Sequence, residues 1–188
     1  MTRRRLRPAY TPDELARIYA APHDHTRWDD HRLRVGATIE ACRWFTSVED
    51  VHTVADLSCG DAAIARSLGT GADGLVLGDY APGYAYTGPI EATVEQIPDV
   101  DLFICSETLE HLDDPDTVLK QIRAKTGRLV LSTPIDAGHD ANPEHYWSWA
   151  RTDVEHMLTA AGFTVEVFMA VDPRPAGRYY QFGIWAAR

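Results

Sequence analysis

The densest group of chemically capable side chains lies in Ser106-Glu107-Thr108-Leu109-Glu110-His111-Leu112. Glu107, Glu110 and His111 stand at i, i+3 and i+4, so a single helical turn would aim two carboxylates and an imidazole the same way. Such a group suits a divalent cation or proton transfer. The plainer alternative is a Glu that caps a helix and a His that bonds to backbone. A second group runs from Val54 to Ala65. The apolar stretch Val54–Leu57, which includes Asp56, reads as a buried strand, Ser58-Cys59-Gly60 as a tight turn, and Asp61 as the N-cap of a helix begun by Ala62-Ala63-Ile64-Ala65. A strand, a small-residue turn and a helix start let a ligand approach the backbone and meet unpaired N–H groups. Asp79 ends the next apolar run, Leu75-Val76-Leu77-Gly78, where an acid accepts from ribose hydroxyls; as a turn residue after Gly78 it would have no such role.

Composition bounds the partners. The chain has 188 residues, so one domain is expected, and its net charge of −10 argues against a general nucleic-acid or anionic-membrane binder. The exception is Arg3-Arg4-Arg5-Leu6-Arg7, read as a solvated, disordered tail, with a phosphate contact as the alternative. Cys42, Cys59 and Cys105 are odd in number and match no zinc or disulfide spacing, which suggests a reducing, cytoplasmic setting. No apolar run approaches a membrane span, and Pro8 and Tyr10 follow the basic run where a signal peptide would be apolar.

The elements that must position these residues follow in order. Thr11-Pro12-Asp13-Glu14 opens a helix to about Ala20. A polar loop, Pro22–Asp30, leads to a helix over Asp30–Phe45 with Leu33, Ala37, Ala41 and Trp44 on its apolar face. Val51–Leu57 is the first strand, Asp61–Leu68 the first crossover helix, and Leu75–Leu77 the second strand. The second crossover helix is shortened or missing, because Ala81–Pro89 carries no helical pattern. Tyr84–Gly88 reads as a third strand, Pro89–Ile97 as a short helix and Asp101–Ser106 as a buried strand. Asp114–Lys125 reads as a helix, and Leu129–Thr133 as a strand stopped by Pro134. A polar loop spans Ile135–Ser148. Thr152-Asp153-Val154-Glu155 reads as a capping box opening a helix that ends at Gly162. Phe163–Phe168 and Gln181–Ala187 close the chain as an antiparallel pair. Alternating strands and helices give an α/β, Rossmann-like doubly wound sheet, mostly parallel, with ligands at the strands' carboxyl ends.

The order Asp56-x-x-x-Gly60, Asp79, Asp101–Ser106-Glu107-x-x-Glu110-His111, Leu129–Pro134 and Gly162-Phe163 resembles the class I S-adenosylmethionine (SAM)-dependent methyltransferases. The resemblance covers Val51 to the C-terminus. It implies about seven strands with the last inserted antiparallel, and a single domain, 1–188, with residues 1–50 as a helical lid over a 51–188 core. It implies that SAM lies over Asp56, Ser58, Cys59, Gly60 and Asp61, with Asp79 and Tyr80 at the ribose, Glu91 at the adenine and Ser106 and Glu107 nearby. Trp28 and Arg32 resemble the segment that holds the SAM carboxylate in related enzymes; ordinary helix packing for Trp28 and a surface position for Arg32 are the alternative. The family turn has glycine where this chain has Ser58 and Ala62, so these are the expected weak points.

Glu107-x-x-Glu110-His111 is similar to the metal-binding motif of two O-methyltransferase subgroups, one acting in ubiquinone biosynthesis and one on the 3′ ends of small RNAs. The resemblance implies Glu107, Glu110, His111 and His145 as ligands of Mg²⁺, Mn²⁺ or Zn²⁺, with His139 the rival to His145. A metal-free reading makes His111 or His145 a general base, and a structural role for the turn is the third. Tyr84, Tyr86, Tyr146, Trp147 and Trp149 are candidates for an acceptor pocket or for core. The expected function is O-methylation of a small-molecule or nucleoside/sugar hydroxyl, with no membrane or nucleic-acid partner and a homodimer as an option. The alternative is a non-catalytic SAM-binding sensor or partner subunit.

Overall fold

In the computed structural model, which describes residues 3–24, 29–69, 71, 74–137 and 140–188, the chain opens with β1 (Arg4–Arg5), α1 (Pro12–Ile18) and α2 (Asp29–Thr46). α1 starts where the sequence predicts: the Thr11 hydroxyl accepts from the Glu14 N–H while the Glu14 carboxylate accepts from the Thr11 N–H. α2 presents a different face from the expected one. Leu33 and Trp44 are 64% and 47% exposed, and Asp30, Arg34, Thr38, Ala41, Cys42 and Phe45 are buried. The stripe that turns inward is polar at one end because that end faces a cavity rather than the core.

Then come β2 (Val54–Asp56), α3 (Ala63–Arg66), β3 (Leu75–Asp79), β4 (Tyr86–Thr87), α4 (Ile90–Thr93) and β5 (Leu102–Ser106). A 3-10 turn, Leu109–His111, precedes α5 (Pro115–Lys125), β6 (Leu129–Ile135), β7 (Trp147–Ser148), α6 (Arg151–Ala161), β8 (Val165–Val171) and β9 (Gln181–Ala187). The main sheet has seven strands in the order β4-β3-β2-β5-β6-β9-β8. β4 through β6 are parallel, and β9 inserts antiparallel to both β6 and β8. The predicted sheet is therefore observed, including its inverted last strand. Residues 80–85 form bends with no helix, as the sequence predicts.

Both sheet faces are covered. Along β5, Phe103 and Cys105 enter the cluster with Leu129, Trp149, Leu158 and Trp185, whereas Leu102 and Ile104 enter the cluster with Cys42, Phe45, Val130 and Ile184. Continuous apolar strands are what a doubly covered parallel sheet requires. All three thiols are free and buried, and burial pushes each upward in pKa. None of the described helices is long and apolar enough to cross a membrane.

Gly78 marks where β3 and β4 meet without a spacer. A Cβ there would lie 2.6 Å from the Tyr86 carbonyl oxygen and 2.9 Å from Leu57 Cδ2. Gly78→Ala is expected to lower stability by about 1–3 kcal/mol through overpacking. Calorimetry should show a fall of several degrees in Tm, and an unchanged Tm would mean that β4 shifts freely.

Four local expectations are corrected. β6 runs through Pro134 to Ile135, because β5 has already ended at Ser106 and no strand on that edge needs the missing N–H. Thr152 lies inside α6; the N-cap is Ala150, whose N–H donates to Asp153 Oδ2 at 2.9 Å. Gly162 does end α6 with φ +96°. Asp61 does not cap α3 from the N-cap position, which Ala62 holds, but its Oδ1 accepts from the Ala63 N–H at 3.0 Å. The Arg3–Arg7 run is not a solvated tail: β1 pairs with β7, Arg3 meets Asp116 and Arg5 meets Asp113, each at 2.5 Å.

Candidate functional site

A cavity of about 610 Å³ opens at the carboxyl ends of β2, β3, β5 and β6, where a switch in strand order leaves a crevice. Of the predicted cofactor residues, Ser58, Asp79, Tyr80, Glu91, Ser106 and Glu107 line it. Asp56, at the end of β2, and Cys59, Gly60 and Asp61, in the turn that follows, are not among its lining residues. Trp28 and His139 lie outside the described residues.

The turn is built differently from the expectation. Ser58 does not carry the left-handed backbone; Gly60 (φ +55°) and Ala62 (φ +59°) do. The residue under strain is therefore Ala62, the second departure from the family turn. Ser58 is held by its hydroxyl, 2.6 Å from Thr108 Oγ1. Gly60 N–H donates to Asp79 Oδ2 at 2.8 Å, and Ala81 N–H donates to Oδ1 at 2.9 Å. Each Asp79 oxygen keeps a further lone pair for a ligand hydroxyl. Asp56 is fully enclosed, and burial raises its pKa to about 7 despite the bond from Ser58 N–H and the nearby Arg34 charge.

Arg32 is corrected. Its side chain is 62% exposed and, among the described residues, its ion-pair partner is Asp29, at 3.4 Å. The guanidinium in the cavity is that of Arg34, which is 1% exposed. Its Nη1 donates to Ser106 Oγ at 2.5 Å, Ser106 Oγ lies 2.8 Å from Ser132 Oγ, and Ser132 donates to Glu107 Oε1 at 2.9 Å. This relay joins a buried cation to a half-buried carboxylate, and Arg34 Nε has no hydrogen-bond partner among the described residues. The sequence signal was there: Asp30, Arg34 and Thr38 repeat at i, i+4 and i+8 on α2, a polar stripe on the face that turns inward.

The Glu–His group assembles only in part. Glu107 sits at the end of β5 with φ +53°, so it is not on the helical turn with Glu110 and His111. One ligand atom from each of Glu110, His111 and His145 lies within 4.8 Å of the others. Glu110 is 1% exposed; Oε2 accepts from the Thr133 hydroxyl at 2.9 Å and Oε1 has no partner. Burial, then the Glu107 charge, raises its pKa to about 8, and burial raises Glu107 as well. Burial, then the His145 charge, lowers His111 to about 3, so its ring is neutral. His111 Nδ1 lies 3.1 Å from the Glu144 carbonyl, which can only accept; the lone pair therefore sits on Nε2, 4.0 Å from Glu110 Oε1. Tyr19 Oη lies 3.1 Å from the same Nδ1.

His145 lies edge-to-face with His111, ring centroids 4.9 Å apart. Its Nδ1 donates to Asp140 Oδ2 at 2.7 Å and its Nε2 lies 3.0 Å from Asn142 Nδ2. Burial pushes His145 down in pKa, but the Asp140 bond and the Glu110 charge outweigh it and the net shift is upward. Asp140 and Asn142 escaped sequence reasoning because a polar loop offers no periodicity to single them out.

Of the two roles open to the predicted aromatic residues, acceptor pocket or core, the pocket is not the one they take. Tyr84, Tyr86, Tyr146, Trp147 and Trp149 do not line the cavity; Tyr19, Tyr80, Tyr179, Tyr180 and Phe182 do. Trp149 is in the core, Tyr84 donates to the Gly60 carbonyl at 2.6 Å, and Trp147 lies under the Arg3 and Arg5 guanidinium groups.

No protein-family model and no curated protein sequence matches this chain. Solved structures do. The Burkholderia thailandensis 1,6-didemethyltoxoflavin-N1-methyltransferase, with bound 1,6-didemethyltoxoflavin and S-adenosylhomocysteine, is similar over 97% of this chain and 92% of its own, with 18% identity and a TM-score of 0.71. The N-methyltransferase NodS of Bradyrhizobium japonicum WM9, in complex with S-adenosylhomocysteine, is similar over 93% of this chain and 96% of its own, with 18% identity and a TM-score of 0.68. The [4+2]-cyclase SpnF is similar over 90% and 85%, with 14% identity and a TM-score of 0.62. The chain carries the fold of the class I SAM-dependent methyltransferases.

Proposed function

We propose that this chain is a SAM-dependent methyltransferase that methylates a hydroxyl of a small-molecule or nucleoside/sugar acceptor, with a divalent cation (Mg²⁺, Mn²⁺ or Zn²⁺) on Glu110, His111 and His145. The observation that carries the reading is one cavity holding both a nucleotide-type floor, Ser58 and Asp79, and a Glu–His–His group in which Glu110 and His145 are buried and His111 is half-buried. The bound S-adenosylhomocysteine of NodS and of the toxoflavin enzyme supports the cofactor. Asp79 would take the ribose hydroxyls, Glu91 the adenine edge and Arg34 the methionine carboxylate.

The residues fit a cation. Glu110 Oε1 is a buried oxygen with no hydrogen-bond partner, His111 presents a lone pair, and Asp140 and Thr133 hold the other faces of His145 and Glu110; the His145 Nε2 lone pair, which faces Asn142 Nδ2 at 3.0 Å, would exchange that bond for the cation. Such an ion, when bound, lowers a hydroxyl's pKa and orients its oxygen. The chain's own task is positioning, since methyl transfer needs in-line approach. Glu107 stands outside the ligand group and anchors the relay to Arg34. A second reading is favoured by the 2.7 Å Asp140–His145 bond: His145, oriented by that carboxylate, acts as a metal-free general base.

Calorimetric titration tests the cofactor. SAM and S-adenosylhomocysteine are expected to bind and NAD not to. Arg34→Ala is expected to weaken SAM about 10- to 100-fold, the worth of a charge-assisted hydrogen bond. Binding of NAD alone, or equal SAM affinity in Arg34→Ala, would overturn the assignment.

A further inference from the structure

The basic segment Arg3–Arg7 keeps Arg4 and Arg5 exposed but is not a free tail; it crosses the two chain segments that supply the Glu–His group. Arg3 and Arg5 bind Asp116 and Asp113, just past the Glu110-His111 turn. Leu6 N–H donates to the Tyr146 carbonyl at 2.7 Å, and Tyr10 reaches the Tyr146 hydroxyl and the Pro143 carbonyl at 3.0 and 3.1 Å. Between these anchors the Arg7 guanidinium forks: Nη1 donates to the Asn142 carbonyl and Nη2 to the Asp140 carbonyl, the latter at 3.2 Å. Asp140 and Asn142 are the two residues whose side chains meet the two ring nitrogens of His145.

We propose that Arg7 is a positioning residue: by clamping the backbone of Asp140 and Asn142, it fixes the His145 imidazole against Glu110 and His111. This rests on the reading of His145 as a site residue. Within the loop, Asn142 N–H and Glu144 N–H donate to the side chains of Asp140 and Asn142, local bonds that set its shape but not its distance from the rest of the cluster. Its C-terminal part is docked by the His111 Nδ1 bond to the Glu144 carbonyl, the Tyr146 N–H bond to the Glu110 carbonyl and the Trp147 indole bond to the Leu112 carbonyl. Asp140 and Asn142 themselves are docked by the Tyr179 hydroxyl bond to Asp140 Oδ1 and by Arg7. A guanidinium spans two carbonyls with its rigid fork, whereas a lysine ammonium is a single point on a flexible stem.

The test compares wild type, Arg7→Ala and Arg7→Lys in the full chain. Amide hydrogen exchange over residues 140–148 is expected to speed up about tenfold or more in Arg7→Ala and less in Arg7→Lys, with β5 and β6 unchanged. The Kd for Mn²⁺ alone is expected to rise about 10- to 100-fold, while the Kd for SAM stays within about twofold. A purely structural role would move both affinities together. Unchanged protection of residues 140–148 in either variant, or SAM and Mn²⁺ affinity falling in parallel, overturns the proposal. If wild type binds no Mn²⁺, the metal reading fails by itself, and the exchange measurement still decides the role of Arg7.

Discussion

A Glu110→Gln variant is expected to lose Mn²⁺ affinity by at least about 100-fold and methyl transfer by roughly the same factor or more, while its SAM affinity stays within about twofold. The substitution replaces an ionisable carboxyl with an amide of almost the same volume. The amide oxygen keeps the bond from the Thr133 hydroxyl, so the turn at Leu109–His111 should not move. The lost feature is an oxygen that can give up its proton to a cation, buried and without a hydrogen-bond partner, that faces His111 and His145. Because burial already raises the Glu110 pKa to about 8, the neutral amide should fold at least as stably as wild type. A loss of function in this variant is therefore chemical in origin. Mn²⁺ binding is read by electron paramagnetic resonance, and turnover by labelled methyl transfer to an acceptor found by screening wild type against diols. Wild-type turnover that survives strong chelation would sink the metal reading and leave the Asp140–His145 base. Full turnover in Glu110→Gln would remove Glu110 from either mechanism.

Asp56→Asn is expected to stabilise the ligand-free protein above neutral pH and to do almost nothing near pH 4. Burial holds the Asp56 carboxyl at a pKa of about 7, against about 3.9 for an unperturbed aspartate. Between those values the folded chain binds a proton that the unfolded chain has released. Stability therefore falls as pH rises through this window and levels off above it. Asp79 and Asp61 add repulsion, and Arg34 with the Ser58 N–H offsets part of it. Asparagine keeps an acceptor for Ser58 and has no charge to bury. The gap should open to an order of 3 kcal/mol by pH 8, several degrees in Tm for a chain of this size. Calorimetry at pH 4 and pH 8 checks it. An equal gain at both pH values would mean that Asp56 titrates as an ordinary carboxylate.

What could be read from the residues was whatever rests on local periodicity or on a group's own chemistry. Apolar runs at Leu102–Ser106 and Leu129–Thr133 can be satisfied only inside a covered sheet, so β5 and β6 were legible. Gly162 and Thr11 announce helix ends because their conformation and hydroxyl serve no other purpose as well. The absence of a helix before β4 was legible for the same reason, since Ala81–Pro89 has no residue pattern that could form one.

Other expectations failed where tertiary contacts outrank local signals. The inward face of α2 looked apolar through Leu33 and Trp44, but the helix turns Asp30 and Arg34 inward because they meet charges and hydroxyls there: Arg178 at Asp30, Ser106 at Arg34. Glu107 fits a helical spacing with Glu110, yet a left-handed residue at the strand end breaks the turn before it begins.

By itself, then, the sequence determined the class of sheet, the closing antiparallel pair, the small-residue turn after β2 and the presence of a Glu–His motif, all properties of short segments. Only the tertiary structure decided which arginine reaches the cavity, that Glu107 stands apart from the cluster of Glu110, His111 and His145, and that the Arg3–Arg7 segment is bound to the loop carrying His145. Those three outcomes depend on contacts between residues from 25 to more than 130 positions apart, such as Arg7 to Asn142 and Ser132 to Glu107. Pairing over such separations is set by packing, burial and charge in three dimensions, which no local pattern encodes.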